Sequence, residues 1–278
     1  MANILKQEKQ EQIIRCLVEG SSVRSTERLT GVHRDTIIRL MVRVGNGCQH
    51  LLDEKMRNLK PSNIQIDEIW RYIGKKERHV SEEEEIKGEV GDMWVFAAID
   101  ADTKLIPTFL VGKRTKENTE SFLQDLASRL DSRVQLSSDQ MISYVNAVWK
   151  AFGENVDYGQ IVKSYEAEPI GPGRYSPPEV TSVEKYRIWG NPDENLISTS
   201  FVERQNLTMR MNIRRLTRLT NAFSKKLENH RAAIALYFAH YNFVREHRTL
   251  RTTPAVMAGI ESWRWGIDQL LDYALAKS

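Results

Sequence analysis

The sequence predicts an α/β protein, a mixed sheet with flanking helices, preceded by a small all-α domain. Apolar residues recur at helical spacing before residue 60, strand and helix patterns alternate after Pro61, and long helical patterns return near the C-terminus. The 278 residues are 41% hydrophobic and 28% charged, so disordered, collagen-like and disulfide-stapled classes are excluded. We expect a small helical domain at 1–60, a core at 61–260 and a helical tail at 261–278.

The composition restricts the environment of the protein. The formal net charge of +3 permits nucleic acid as a partner but does not require it. No apolar run approaches the roughly 20 residues that a membrane span needs, and the N-terminus lacks a secretory signal. Cys16 and Cys48 have no spacing typical of a disulfide framework or a zinc site. We therefore expect a cytoplasmic protein with no membrane partner.

The segment 8–44 has the pattern of three short helices. Gly31 and Val32, followed by a polar stretch and Ile37, have the layout of a helix-turn-helix, in which the glycine forms the turn and the apolar pair holds the second helix inward. A helical cap or a dimerisation module is the alternative for the same pattern.

In a helix-turn-helix, the outward side chains of the second helix would include Arg34, Thr36 and Arg39. Arginine reaches guanine in the major groove and threonine contacts phosphate or methyl groups, so these three are candidate DNA-binding residues. Glu27 stands four residues before Gly31, where this motif usually has a small residue. The two helices are therefore expected to pack differently from the usual arrangement.

The elements after Pro61 follow the order strand, strand, strand, helix, strand, helix. The strand patterns cover 64–74, 93–99, 105–111 and 134–139, and the helical patterns cover 117–130 and 144–152. This order is that of an RNase H-like fold. Glu82–Glu85 is expected to be a solvated loop between strands.

Two aspartates occur on strands that are neighbours in this topology. Asp67 lies within the first strand on the face opposite Ile66, and Asp139 lies at the end of the fourth. Paired carboxylates bind divalent cations that activate water at a phosphodiester. Glu68 is a poor candidate ligand because alternate side chains of a strand point to opposite faces.

The last part of the core is predicted to begin with a long loop near 160–197, rich in glycine and proline and containing IGPGRYSPPE, followed by a helix that starts at Ser198 or Thr199. Another helix is predicted over 222–245.

On the helix that follows the loop, Glu203, Asn206, Arg210 and Arg214 share one stripe. A carboxylate beside arginines suits a third metal ligand next to a phosphate backbone. An ordinary solvated face explains the same pattern.

Several motifs, in the same order over nearly the whole chain, resemble the insertion-sequence-one family of transposases. They are QIDEIW, GDMWVFAAIDADTK, ASRL with VQLSSD, STSFVERQNLTMR with RLTRLTNAFSKK, and YNFVREHRTLRTTPAVMAGI. The resemblance implies a DDE transposase with an RNase H-like core, whose catalytic and metal-binding residues are Asp67, Asp139 and Glu203. It places Asn206, Arg210 and Arg214 in the basic helix of the family.

The resemblance also implies the partners and cofactors. We expect two Mg²⁺ ions for each active site, with Mn²⁺ as a substitute, because hard oxygen ligands suit both. The expected substrate is double-stranded DNA, as element ends and target, bound by a homo-oligomer associated with the nucleoid.

One position departs from the family pattern. The family tends to have glycine and then commonly histidine after the second aspartate, whereas this chain has Gln140 and Met141. Loss of a flexible glycine beside a ligand can displace the carboxylate. Two alternatives therefore stay open, an RNase H-like nuclease or resolvase and a catalytically impaired, transposase-derived DNA-binding regulator.

Overall fold

The computed structural model describes residues 5–166, 179–218 and 220–277. Its centre is a six-stranded sheet in the order β3-β2-β1-β4-β5-β6. The strands are β1 (Asn63–Ile73), β2 (Gly91–Asp100), β3 (Phe109–Gly112), β4 (Val134–Ser138), β5 (Val156–Glu166) and β6 (Glu179–Trp189). β4 runs parallel to β1 and β5, and the other neighbours are antiparallel. The predicted α/β class with a mixed sheet is confirmed.

Helices cover both faces of this sheet. They are α1 (Gln7–Val18), α2 (Val23–Thr30), α3 (Arg34–Lys55), α4 (Glu82–Lys87), α5 (Lys116–Arg129), α6 (Ile142–Phe152), α7 (Ser200–Asn212), α8 (Leu227–Ala239), α9 (Pro254–Met257) and α10 (Ile267–Ala276). Among the described residues, none of these helices has the length and apolar character that crossing a bilayer requires.

The alternation of side chains along β1 divides the interior into two cores. Ile64 and Ile66 join a cluster with buried residues of α5 and α6. Ile69, one residue out of phase, joins a second cluster with residues of α3, α7, α8 and α10. The period of two therefore places Asp67 on the α7 and α8 side of the sheet and Glu68 on the α5 and α6 side.

The three helices expected at the front of the chain are present, but α3 runs on to Lys55. Gly45 and Gly47 let its backbone approach two other helices, because an added Cβ would collide with the backbone of Ala232 in α8 and of Ala274 in α10. The front helices thus share an apolar core with the C-terminal helices. The division into domains at residue 60 stays a prediction.

Much of the predicted loop at 160–197 is strand. β5 continues to Glu166, and β6 pairs with it as the edge strand. β6 is rich in β-branched and aromatic residues, such as Val180 and Ile188, which indicates a strand, but the neighbouring glycines and prolines obscured this pattern. The part of IGPGRYSPPE at 170–178 lies outside the described residues. Residues 190–199 form the expected irregular segment.

Four other boundaries differ from the sequence prediction. Glu82–Glu85 starts helix α4, since Ser81 and Glu84 form a capping box. The third strand begins only at Phe109. α7 starts after Thr199 as expected, but it ends at Asn212. The helix predicted over 222–245 begins at Leu227, and a π-helical turn, His240–Val244, follows it.

Candidate active site

The register of the parallel strands brings the two aspartates together. Gln65 pairs with Ser137, and the chain then leaves β4 at Ser138, so Asp139 follows immediately beyond the end of the strand beside Asp67. Among the described residues, oxygens of Asp67, Glu68 and Asp139 lie within 4.8 Å of one another. We call these three residues the acid cluster.

The presence of Glu68 corrects the sequence analysis, which had set it aside. The Glu68 side chain starts on the opposite face of β1 from Asp67. However, the neighbouring strand β4 ends at Ser138, next to these two residues, so no strand separates their carboxylates on the β4 side of β1. The Glu68 side chain is only 5% exposed. Its carboxylate pairs with Arg114 and accepts a hydrogen bond of 2.8 Å from the hydroxyl of Tyr144.

The acid cluster is electrostatically crowded. The pKa of Asp67 is raised to about 7, first by burial and then by the negative charges of Glu68, Asp139 and Glu203. Burial and Asp139 also raise the pKa of Glu68, against the opposite effect of Arg114 and the Tyr144 hydrogen bond. A bound cation would relieve this repulsion, and oxygen donors alone suit Mg²⁺.

Glu203 lies in the first turn of α7, apart from the acid cluster. Its side chain is 46% exposed and pairs with Lys163 of β5. The same oxygen accepts a hydrogen bond of 2.6 Å from the hydroxyl of Thr199. Lys163 was missed by the sequence analysis because it lies in the segment predicted as a loop. The influence of Glu203 on the pKa of Asp67 shows that the two carboxylates are electrostatically coupled.

Two amide side chains fix α7 against β1. The Gln65 side-chain oxygen accepts hydrogen bonds from the backbone N–H groups of Phe201 at 2.8 Å and Val202 at 3.2 Å. A side chain of strand β1 therefore caps the start of helix α7. One turn after Glu203, the Asn206 side chain donates to Asp67 at 2.8 Å. The predicted DNA-binding role of Asn206 conflicts with this position, because the residue is only 9% exposed and bonds to the acid cluster.

The chain around Asp139 is held from two directions. The hydroxyl of Ser138 and the side-chain amide of Gln160 both donate to the Asp139 carbonyl oxygen, at 2.7 and 3.0 Å. The Met141 N–H donates to the Asp139 carboxylate at 3.1 Å, and the Met141 sulfur accepts from Arg114 at 3.2 Å. Met141 therefore contacts the arginine that neutralises Glu68.

The candidate DNA-reading residues lie at the start of α3. Arg34 and Arg39 are exposed and Thr36 is half-buried, with the guanidinium of Arg39 donating to the Thr36 hydroxyl at 3.2 Å. The Glu27 carboxylate accepts the Arg34 N–H at 2.9 Å and so satisfies a free donor at the start of α3. Gly31 has φ +71° in the turn.

Arg210 lies on α7 in the predicted stripe of Glu203, but Arg214 does not continue it, because α7 ends at Asn212. Arg210 is half-buried and donates to the Leu216 carbonyl at 3.2 Å. Arg214 is exposed in a single 3₁₀ turn, Arg214–Leu216.

Comparison with known proteins gives one family match. Residues 190–244, which include α7 and Glu203, match the model of the IS1 transposase family. No curated protein matches the sequence of the chain. Among solved structures, the chain is similar to one described as a piggyBac transposase synaptic complex with hairpin DNA, with 11% identity, a TM-score of 0.41, and coverage of 97% of this chain and 70% of that one. The family match supports a transposase.

Proposed function

We propose that this chain is a DDE transposase of the insertion-sequence-one family, which cleaves DNA at element ends and transfers the free 3′ ends to target DNA. One observation supports this most. The chain brings Asp67 and Asp139 together, and Glu203, whose negative charge contributes to the raised pKa of Asp67 after burial and the nearer acids, lies in the segment that matches the IS1 transposase family. The strand order β3-β2-β1-β4-β5, with antiparallel pairs first and parallel pairs next, supports an RNase H-like core.

Asp67, Asp139 and Glu203 would hold Mg²⁺, or Mn²⁺ in its place, with two ions per site. Carboxylate oxygens fit hard cations. Burial and then the neighbouring negative charges raise the pKa of Asp67, and a cation would neutralise those charges. When bound, the ions supply an activated water and stabilise charge on the leaving oxygen.

The neighbouring residues of the chain orient these carboxylates. Asn206 holds one oxygen of Asp67, and Gln65 fixes the start of the helix that presents Glu203. Lys163 and Thr199 hold Glu203 in the metal-free protein, so metal binding by Glu203 would compete with the Lys163 ion pair.

DNA recognition would be divided between two surfaces. Arg34, Thr36 and Arg39 would read bases through a helix-turn-helix formed by α2 and α3, and Arg210 and Arg214 would contact phosphates near Glu203. A homo-oligomer would act on the DNA, because two element ends must be joined to one target.

The test is cleavage of labelled duplexes that carry the inverted repeats flanking the gene. Asp67→Asn, Asp139→Asn and Glu203→Gln should each lower Mg²⁺-dependent cleavage at least a thousandfold, about 4 kcal/mol in the barrier, while duplex binding is retained. Full cleavage by any one of them contradicts the assignment. Joined products with target DNA distinguish a transposase from a nuclease, and an absence of cleavage by the unaltered protein favours the regulator.

A further inference from the structure

A cleft of about 800 Å³ lies between the front helices and the segment that follows α7. We call it the basic cleft. Six cationic side chains line it, and none of the described residues that line it is acidic. Five of the six cations are exposed. The six are Arg24, Arg34, Arg214, Arg215, Lys225 and Lys226.

Two arginines in or behind this cleft, Arg215 half-buried and Arg71 buried, have no carboxylate partner among the described residues. Arg215 donates only to the Ser224 hydroxyl at 2.9 Å and to the Met41 sulfur at 3.2 Å. Arg71 is 3% exposed, donates to the Thr220 carbonyl at 3.2 Å, and has a buried Nε with no partner. Burying unpaired charge is unfavourable, so this arrangement indicates an anionic ligand.

The titration of neighbouring groups reflects the same excess of positive charge. The pKa of Arg210 is lowered to about 10 by burial and then by Arg218 and Arg71. The pKa of His230 is lowered to about 3 by burial and then by Arg215 and Arg71. His230 therefore stays neutral and adds no charge, and its buried Nε2 has no partner.

The volume of the cleft and its apolar lining residues indicate which kind of anion it can bind. Its volume is that of a small-molecule pocket, about 300–1,000 Å³, which accommodates one or two nucleotides but no double helix. Apolar side chains, among them Leu17, Ile38 and Phe223, line it together with the cations. Apolar surface for bases beside cations for phosphates is the combination that binds single strands.

We propose that the basic cleft binds an unpaired segment of a DNA strand, one or two nucleotides long, with its phosphates against Arg214, Lys225 and Lys226. The proposal rests on the proposed function only in taking DNA as the substrate. Arg34, at the start of α3, lies on one wall and Arg214, just beyond α7, on the other. A strand in the cleft would thus lie between the proposed base-reading helix and the helix of Glu203.

The experiment measures fluorescence anisotropy of two labelled duplexes in EDTA, one blunt and one with a four-nucleotide 3′ single-stranded tail. The unaltered protein should bind the tailed duplex at least tenfold more tightly. In the double variant Lys225→Ala, Lys226→Ala this preference should disappear. The slope of log affinity against log salt concentration for the tailed duplex should decrease in magnitude by about 1.4, since each single-strand phosphate contact contributes about 0.7. Both lysines are exposed, so the melting temperature should not change.

The matched control is Lys60→Ala, Lys150→Ala, which removes two lysines that pair with Asp131 and Glu120 away from the cleft. It should keep the tenfold preference. Equal binding of both duplexes by the unaltered protein, or a preference that survives in the Lys225 and Lys226 variant, would overturn the proposal. Because EDTA prevents metal-dependent cleavage, this outcome is independent of the test of catalysis, and loss of cleavage alone leaves the binding result unaffected.

Discussion

The acid cluster and the basic cleft have opposite charges, but both bring like charges together with few partners of the opposite sign. In the acid cluster three carboxylates lie together and, among the described residues, only Glu68 has an ion-pair partner, Arg114. In the basic cleft six cations have no carboxylate among the described lining residues. Arg129, by contrast, is buried and contacts both Asp53 and Asp125. The contrast indicates that the first two regions bind charged ligands, a cation in one and a polyanion in the other, whereas Arg129 is structural.

The largest expected effect concerns the stability of the metal-free protein. The folded pKa of Asp67 is about 7 and its ordinary value is 3.8, so ionising it opposes folding, and stability is lost as the pH rises from about 4 to 7. Asp67→Asn should therefore stabilise the protein at pH 8 in EDTA, by at most about 4 kcal/mol, with no gain at pH 4. Urea unfolding at both pH values measures this, and equal effects at the two values would remove the electrostatic explanation.

The next effect compares a buried arginine that is paired with acids, Arg129, and a half-buried arginine that is not, Arg215. Arg129→Met removes two ion pairs and the hydrogen bonds that Arg129 donates to the carbonyls of Leu52 and Met56, so we expect a loss of about 2–3 kcal/mol. Arg215→Met removes an unpaired charge whose pKa burial lowers to about 10, and should change stability by less than about 1 kcal/mol. Urea unfolding without DNA at pH 7 compares the two variants. Equal losses would mean that Arg215 has a structural role like that of Arg129.

A third prediction separates base reading from phosphate contact. Arg34→Ala or Arg39→Ala should lower the preference for element ends over scrambled duplex by about 1–2 kcal/mol. Arg210→Ala with Arg214→Ala should weaken both duplexes alike and flatten the salt dependence. Binding titrations at several salt concentrations distinguish the two effects. If the α3 variants keep the ratio of affinities, the front helices do not read the sequence.

The smallest expected effect tests whether Glu68 belongs to the metal site. Glu68→Gln should raise the Mg²⁺ concentration for half-maximal cleavage about tenfold, equivalent to about 1.4 kcal/mol, because one charged donor is lost. Arg114→Met is the matched control, since it breaks the same ion pair and keeps the carboxylate. An equal Mg²⁺ requirement for Glu68→Gln and the unaltered protein would mean that Glu68 only positions Arg114.

Much of the fold and part of the candidate site were predictable from local patterns. The period of two along β1 placed Asp67 opposite Ile66, and the order of strands made β1 and β4 neighbours, so the approach of Asp67 and Asp139 followed. The N-cap residue and apolar stripe placed the start of α7, and with it Glu203, within two residues. The face of Asp67 and the start of α7 depend on short-range geometry, which the sequence determines by itself, whereas the neighbouring of β1 and β4 followed from the fold that the order of elements predicts.

Other features were decided by the tertiary structure alone. Glu68 joins Asp67 because β4 ends at Ser138. Asn206 bonds to Asp67, and two residues earlier on the same strand Gln65 caps the start of α7. Arg215 contacts Ser224 and no acid among the described residues, and packing around it lowers its pKa. Its neighbours in the sequence, which form an ordinary basic segment, do not reveal this. Periodicity tells which face of an element a side chain occupies. Which groups meet across elements, and which charges are left unpaired, depends on where strands end and how helices pack, and these are settled only when the whole chain folds.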